Sequence, residues 1–203
     1  MKLFYSLTSP YARKVRVTAY EKGLADRIEL VPCNPHEPDP ALLAANPLGR
    51  VPTLVIEDGT ALFDSPVICE WLDSWGAGPR LLPPAGDERW RVLRGQALAD
   101  GMLDDAVAMV LERRRPEALQ SPAHQAGRSA ALLRAAADVE AGLVGTDGDL
   151  SLAHIALGCA LAYLDFRLPE LDWRPEAPRT AQWLEAFCRR PSMRDTQPQP
   201  PPA

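Results

Sequence analysis

Residues 52–75 read PTLVIEDGTALFDSPVICEWLDSW, and this stretch decides the fold. TLVIE (53–57) is an apolar run that begins on a proline, tolerated at the first residue of a strand because its missing N–H falls outside the ladder. Asp58-Gly59 is a two-residue turn of the kind that joins antiparallel strands, so TALFD (60–64) pairs back on TLVIE. Ser65-Pro66 then opens a helix that runs to Trp75, serine being a favoured cap and proline a favoured first helical residue. Upstream, KLFY (2–5) reads as a strand. A second Ser-Pro pair, Ser9-Pro10, opens a helix ending at Lys22-Gly23, and residues 28–31 form another strand. Strand, crossover helix and strand imply a parallel pair, and the hairpin an antiparallel one. With a short helix at 39–45, after the proline-rich loop CNPHEPDP (33–40), the order is β-α-β-(α)-β-β-α. The economical packing is a mixed four-stranded sheet with helices on its faces.

Beyond residue 76 the pattern changes. GAGPRLLPPAG (76–86) is a linker, and the chain after it keeps the helical period. Leu98, Met102, Ala106 and Met109 mark one stripe; Leu132, Ala136, Val139 and Leu143 mark the next; Leu152, Ile155, Ala156, Cys159, Tyr163 and Phe166 mark a third. Ser151 is the cap of that third helix, with Leu150 placed to staple onto Ile155. A last helix at 180–189 carries Trp183, Leu184 and Phe187. Proline supports the division. Of 21 prolines in 203 residues, eleven fall in residues 1–86 and four in the last six, while 87–115 and 123–168 hold none. Disorder would scatter them; proline-free gaps of that length are where long helices run. The expected organisation is an α/β sheet domain at 1–75, a linker at 76–86, an all-helical domain at 87–195 and a disordered proline-rich tail at 196–203.

Composition narrows the function. With 27 acids against 22 bases, the net charge of −5 is the wrong sign for a nucleic-acid binder. The N-terminus has no apolar core of secretory length, and the longest uncharged apolar run, 155–164, is far short of the ~20 residues of a membrane span. A soluble chain is expected. Cys33, Cys69, Cys159 and Cys188 form no C-x-x-C and read as reduced cytosolic thiols, with Cys33 the exposed one. His36, His124 and His154 lie outside metal-ligand spacing of one another or of a cysteine, so no metal site is expected. No phosphate-binding glycine loop or nucleophile elbow occurs.

The two Ser-Pro openings are the candidates that remain. A helix N-terminus leaves N–H groups unpaired and carries about half a positive charge, so each seats an anion; the bland alternative is ordinary capping. Between them lies NPLGRVPTL (46–54). A cis bond before Pro52 would turn the Val51 backbone outward, where it pairs with an extended peptide; the residues alone do not fix the isomer.

SPYARKVR (9–16), NPLGRVPTL, FDSPVICEWL (63–72), ALAD (97–100) and SLAHIALGCALAYLDFR (151–167), in that order, resemble a bacterial glutathione S-transferase over residues 1 to about 190. The resemblance implies a thioredoxin-like first domain, a cis Pro52, glutathione as co-substrate, a role in detoxification and a cytoplasmic homodimer. It implies that the Ser9 hydroxyl donates to the glutathione sulfur and favours the thiolate, with Thr8 and Tyr5 as nearby substitutes. Val51 would pair with the cysteinyl unit, Asp64 and Ser65 would hold the γ-glutamyl end, and His36 and Arg50 would meet the glycine carboxylate. Asp104 would reach the γ-glutamyl amine across the dimer; the bland alternative is that Asp100, Asp104 and Asp105 form a solvated acidic face. Leu7, Tyr11 and Met102 would line the pocket for a small second substrate, apolar or electrophilic. Alternatives on the same fold are a glutathione-binding or protein-interaction module, a reductase, an isomerase and a dehalogenase; no cysteine stands at residue 9 for a reductase. Two departures stand out. Asp64 replaces the glutamate of many relatives, and His154 replaces the acid of an S-x-x-D capping box. The second predicts an open box, a less stable helical half, and a higher thermal midpoint for His154→Asp.

Overall fold

Strand β1 (Lys2–Tyr5) buries Leu3, Phe4 and Tyr5 and sits inside a four-stranded sheet of order β2-β1-β3-β4. Strand β2 (Glu29–Pro32) runs parallel to β1, β3 (Thr53–Val55) antiparallel to it, and β4 (Ala61–Leu62) antiparallel to β3. The register sets Tyr5 opposite Pro32, Phe4 opposite Thr53 and Leu54 opposite Leu62. The C-terminal ends of β1, β2 and β4 and the N-terminal end of β3 therefore share one end of the sheet. The hairpin strands are shorter than the apolar runs suggest. Ile56 N–H bonds Thr60 O (2.9 Å), and Thr60 N–H bonds Asp58 Oδ1 (2.8 Å), so the turn begins at Ile56.

The computed structural model of the chain describes residues 1–34, 37, 39–142 and 149–198. Two compact units emerge, residues 1–82 with the segment from residue 191, and residues 83–190. In the first unit, helix α1 (Pro10–Glu21) crosses between β1 and β2, α2 (Pro40–Ala45) is capped by the Asp39 carboxylate, and α3 (Ser65–Trp75) follows β4. Helices α1 and α3 pack together, with Ala12, Val15, Ile68, Cys69 and Leu72 fully buried and Thr18 Oγ1 donating to Cys69 Sγ at 3.4 Å. Their C-terminal ends are joined by a buried ion pair, Lys22 Nζ to Asp73 Oδ1 at 3.1 Å. Asp73 also accepts the N–H groups of Leu81 (2.8 Å) and Leu82 (3.0 Å), and Lys22 Nζ donates to Pro79 O (2.8 Å). Gly76 permits this closure, because a Cβ there would lie 2.6 Å from Lys22 Cβ. The expected linker is thus stapled to α1 and α3 through residue 82.

In the second unit α4 (Asp87–Arg113) and α7 (Pro178–Phe187) pack against α6 (Leu152–Arg167), of whose 16 residues twelve are buried, and α5 (Pro122–Glu140) packs on α4 and α7. That all-round burial explains a helix apolar on every face rather than on one stripe. The expected stripe residue Leu143 lies outside the described residues. The expectation of an open capping box on α6 is overturned. Ser151 N–H donates to His154 Nδ1 at 3.1 Å, and His154 N–H donates to Ser151 Oγ at 3.4 Å. The in-plane lone pair of an imidazole nitrogen stands about as far from the backbone as an aspartate oxygen, so the side chain closes the box with one acceptor. Helix α7 has no cap of its own; Glu140 supplies one from the end of α5, accepting Arg179 N–H (3.2 Å), Thr180 N–H (2.9 Å) and Thr180 Oγ1 (2.8 Å).

The helical half ends earlier than the expected residue 195. Residues 191 onward instead return to the first unit as a short helix, α8 (Pro191–Arg194), packed on α1 with Ser192 and Met193 fully buried and Thr196 at 5% exposure. Residues 199–203 of the expected tail lie outside the described residues. No helix is long and apolar enough to cross a membrane among the described residues.

Candidate functional site

Three loops meet at the shared end of the sheet. The loop leaving β1 ends at Ser9, whose extended backbone (φ −74°, ψ 118°) and Oγ cap α1 by accepting Ala12 N–H at 3.2 Å. The hydroxyl hydrogen has no acceptor among the described residues. Ser9 therefore accepts from its helix and is free to donate outward. No acidic residue stands in the first turn of α1, so nothing on the helix offsets its positive end.

The loop leaving β4 begins α3 in a different register from that expected. The cap is Asp64, not Ser65; Ser65 and Pro66 are the first and second helical residues. The physical reason is backbone geometry. Asp64 is extended (φ −92°, ψ −161°), and its carbonyl takes the first helical bond, from Ile68 N–H at 3.1 Å. Its exposed carboxylate makes no capping bond, so the first-turn N–H groups of α3 lack a side-chain partner. Ser65 is 2% exposed, and its hydroxyl makes no hydrogen bond among the described residues.

The loop entering β3 is built by Asn46, a residue that no sequence motif singles out as functional. Asn46 is 1% exposed; its Nδ2 donates to Arg50 O (3.2 Å) and Thr53 Oγ1 (3.0 Å), and its Oδ1 accepts Leu48 N–H (3.0 Å). Thr53 Oγ1 donates to Arg50 O at 2.8 Å. These bonds close the loop on itself and leave the N–H and C=O of Val51 without partners among the described residues. The Val51–Pro52 bond is cis. Such an arrangement offers a free donor at Ser9, an open helix N-terminus at Ser65 and an unpaired strand-like backbone at Val51, which suits an extended ligand carrying a negative group at its end.

Residues 8–75 match the family model "Glutathione S-transferase, N-terminal domain", and residues 122–186 match "Glutathione S-transferase, C-terminal domain". The chain belongs to the glutathione S-transferase family. A GST-like protein of Escherichia coli K12, YibF, described as uncharacterized, is 36% identical over 203 residues, covering 98% of each chain. A glutathione transferase family member from Pseudomonas fluorescens Pf-5, solved with bound glutathione, superposes with a TM-score of 0.94 at 38% identity, covering 98% of this chain and 99% of that one. A glutathione S-transferase from Methylobacillus flagellatus KT, also with glutathione bound, gives 0.90 at 39% identity over 98% and 99%. The architecture of this glutathione S-transferase family member is accordingly a thioredoxin-like sheet domain followed by a helical domain.

The remaining expected site residues fall in several places. Leu7 and Tyr11 are half-buried beside Ser9 in sequence, and Arg50 is exposed, its side chain in no ion pair among the described residues. His36 lies outside the described residues. In the second unit Met102 is 2% exposed, within the core face of α4, and Asp104 is exposed on the same helix. Asp105, next to it, is paired with Arg128 of α5. Cys33, where the chain leaves β2, is half-buried, as is Cys188, so Cys33 is not singularly exposed. Burial, then the Asp39 carboxylate, push the Cys33 thiol above its ordinary value, against a weaker opposing bond to Tyr5 O. A thiol held protonated is a poor nucleophile.

Proposed function

We propose that the protein is a glutathione S-transferase in which Ser9 donates a hydrogen bond to the glutathione sulfur. The reading rests on one observation above all: along one end of the sheet, the groups left unpaired are the groups an extended tripeptide needs. Val51 N–H and C=O pair with the cysteinyl unit as an added strand. The open N-terminus of α3, with Ser65, takes the γ-glutamyl carboxylate, and the exposed Asp64 takes its ammonium. Asp64 is one methylene shorter than the glutamate of many relatives, so its ammonium contact is longer or bridged by water. Arg50 takes the glycine carboxylate, with His36 the second candidate for that contact.

Within that frame Ser9 acts as a stabiliser, not as an attacker. A hydroxyl donor and the positive end of α1 both favour thiolate over thiol, and the thiolate attacks a small electrophile beside Leu7 and Tyr11. The glutathione-bound relatives at 38% and 39% identity support the ligand. We assign the chain to a cytoplasmic homodimer, with Asp104 reaching the partner's γ-glutamyl amine.

The test measures glutathione affinity and the ultraviolet titration of its thiol on the wild type and on Ser9→Ala. Binding with a lowered thiol pKa that returns upward in the variant is expected. Tight binding with an unshifted thiol identifies a binding module, and no binding removes the proposal.

A further inference from the structure

Helix α1, with Ser9 at its N-terminus, has its outer face covered by residues far away in sequence. Arg13 Nη2 donates to Met193 O at 3.0 Å, Arg16 Nη2 to Asp195 O at 3.4 Å, and Ser192 Oγ to Glu21 Oε1 at 2.5 Å. The contacts run from the first full turn of α1 to its last residue. The covering segment is itself stiff, with Asp195 N–H on Pro191 O (2.9 Å) and Thr196 Oγ1 on Ser192 O (2.6 Å).

Arg13 is where this clasp comes nearest to Ser9 along the helix. Its own N–H bonds Ser9 O at 3.0 Å, so it sits one turn, about 6 Å along the axis, from the capping residue. It is also the least ordinary residue of the clasp. Only 7% exposed, its guanidinium has no carboxylate at ion-pairing distance among the described residues, and its Nε is buried without a partner. A charge buried with so little compensation is expensive for a purely packing role, where a methionine would fill the same volume.

We propose that Arg13 is a positioning residue for Ser9, tying the first turns of α1 to residues 191–196 so that the serine hydroxyl keeps its direction. The inference rests on the reading of Ser9 as the thiol donor. The sheet and α3 hold the inner face of α1, and the clasp holds the outer face. Without it the helix can roll on its inner contacts, and a hydrogen bond to a thiolate is lost over an ångström of displacement.

The experiment compares wild type, Ser9→Ala, Arg13→Met, Arg13→Lys, Arg16→Met and Ser192→Ala. It reads kcat and KM with glutathione and an aryl halide, the ultraviolet titration of the bound thiol, and the thermal midpoint. Arg13→Met is expected to lower kcat about tenfold, with KM for glutathione little changed and the bound thiol's titration moved upward. Arg13→Lys should recover part of the loss, and Arg16→Met, which loses a longer and exposed bond, should resemble the wild type. Ser192→Ala loosens the same segment while leaving the Arg13 charge in place, and should move the thiol titration the same way by less. It carries the test if Arg13→Met does not fold. A lower midpoint with kcat and thiol titration unchanged, in Arg13→Met or in Ser192→Ala, overturns the proposal by making the clasp structural only. If the wild type does not bind glutathione, or Ser9→Ala leaves its thiol unmoved, the reading of Ser9 fails and this inference falls with it. If those two behave as expected and the clasp variants match the wild type, only the inference falls.

Discussion

Replacing Asp73 by asparagine tests whether the far ends of α1 and α3 are held as the structure indicates. Both carboxylate oxygens are in use: Oδ1 takes Leu81 N–H at 2.8 Å and Lys22 Nζ at 3.1 Å, and Oδ2 takes Leu82 N–H at 3.0 Å. An amide keeps one acceptor and sets an NH2 group against one of the two N–H donors. That leaves a buried donor unpaired, costing about 1–3 kcal/mol, while Lys22, 1% exposed, loses its counter-charge. Pro79 O at 2.8 Å retains part of the ammonium's solvation, so the loss sits within the roughly 3–5 kcal/mol seen when one partner of a buried pair is removed. For a chain of this length each kcal/mol moves the midpoint by about 2–4 °C, so the expected drop is about 6–20 °C. Differential scanning calorimetry reads it, and hydrogen exchange at Leu81 and Leu82 locates it. A paired variant sharpens the test. Lys22→Met with Asp73→Leu removes both charges but orphans both backbone donors, so it should not recover the wild-type midpoint. An Asp73→Asn midpoint within about 2 °C of wild type, or a double variant as stable as wild type, would refute the role given to the linker bonds.

The second unit supplies three further tests. Partial burial raises the Glu140 carboxyl, but its bonds to Arg179 and Thr180 outweigh it and hold the group at about 2, below the ordinary 4.5. The stabilisation is therefore complete above pH 4.5 and lost as pH falls toward 2; Glu140→Gln should melt earlier at pH 7 and converge with wild type near pH 2. A Cβ on Gly158 would lie 2.4 Å from Phe187 Cε1, so Gly158→Ala should cost about 1–3 kcal/mol of overpacking, read by chemical denaturation. Because His154 already closes the capping box, His154→Ala should cost about 1 kcal/mol, whereas His154→Asp should hold the thermal midpoint near wild type instead of raising it.

The parts of the fold that rest on local chemistry were legible. Asp58-Gly59 forces a hairpin, Ser9-Pro10 caps a helix in the register expected, and the proline-free spans are the long helices. What stayed hidden depends on partners distant in sequence. Asn46 looks like a turn residue and builds the Val51 loop through its side chain; Glu140 looks like a surface acid at a helix end and caps another helix. Arg13 and its partner Met193 are 180 positions apart, and no local period could join them. The error at α3 has a subtler cause. Ser9-Pro10 and Ser65-Pro66 are the same dipeptide, yet an aspartate before the second pair takes the cap position and shifts the helix by one residue.

That one-residue shift bears on function. A serine at the cap, as in α1, uses one acceptor site on its own helix and still has its hydrogen to give. A serine one position inside, as in α3, leaves the cap's side chain and its own hydroxyl unspent, and the first-turn N–H groups remain open to an anion. The two helix ends thus offer complementary chemistry at one end of the sheet: on the proposed reading, the donor at the start of α1 serves the glutathione sulfur and the open first turn of α3 serves a carboxylate. Keeping the two in fixed relation is then a structural requirement, and the chain meets it at the opposite ends of the same helices. There Lys22 and Asp73 join α1 to α3 inside the first unit, with both side chains almost fully buried. If the proposed site is right, loosening that joint should weaken glutathione affinity even though Asp73 lies at the opposite ends of the helices, and a Ser65→Ala variant, which changes only the start of α3, should weaken it without moving the thermal midpoint.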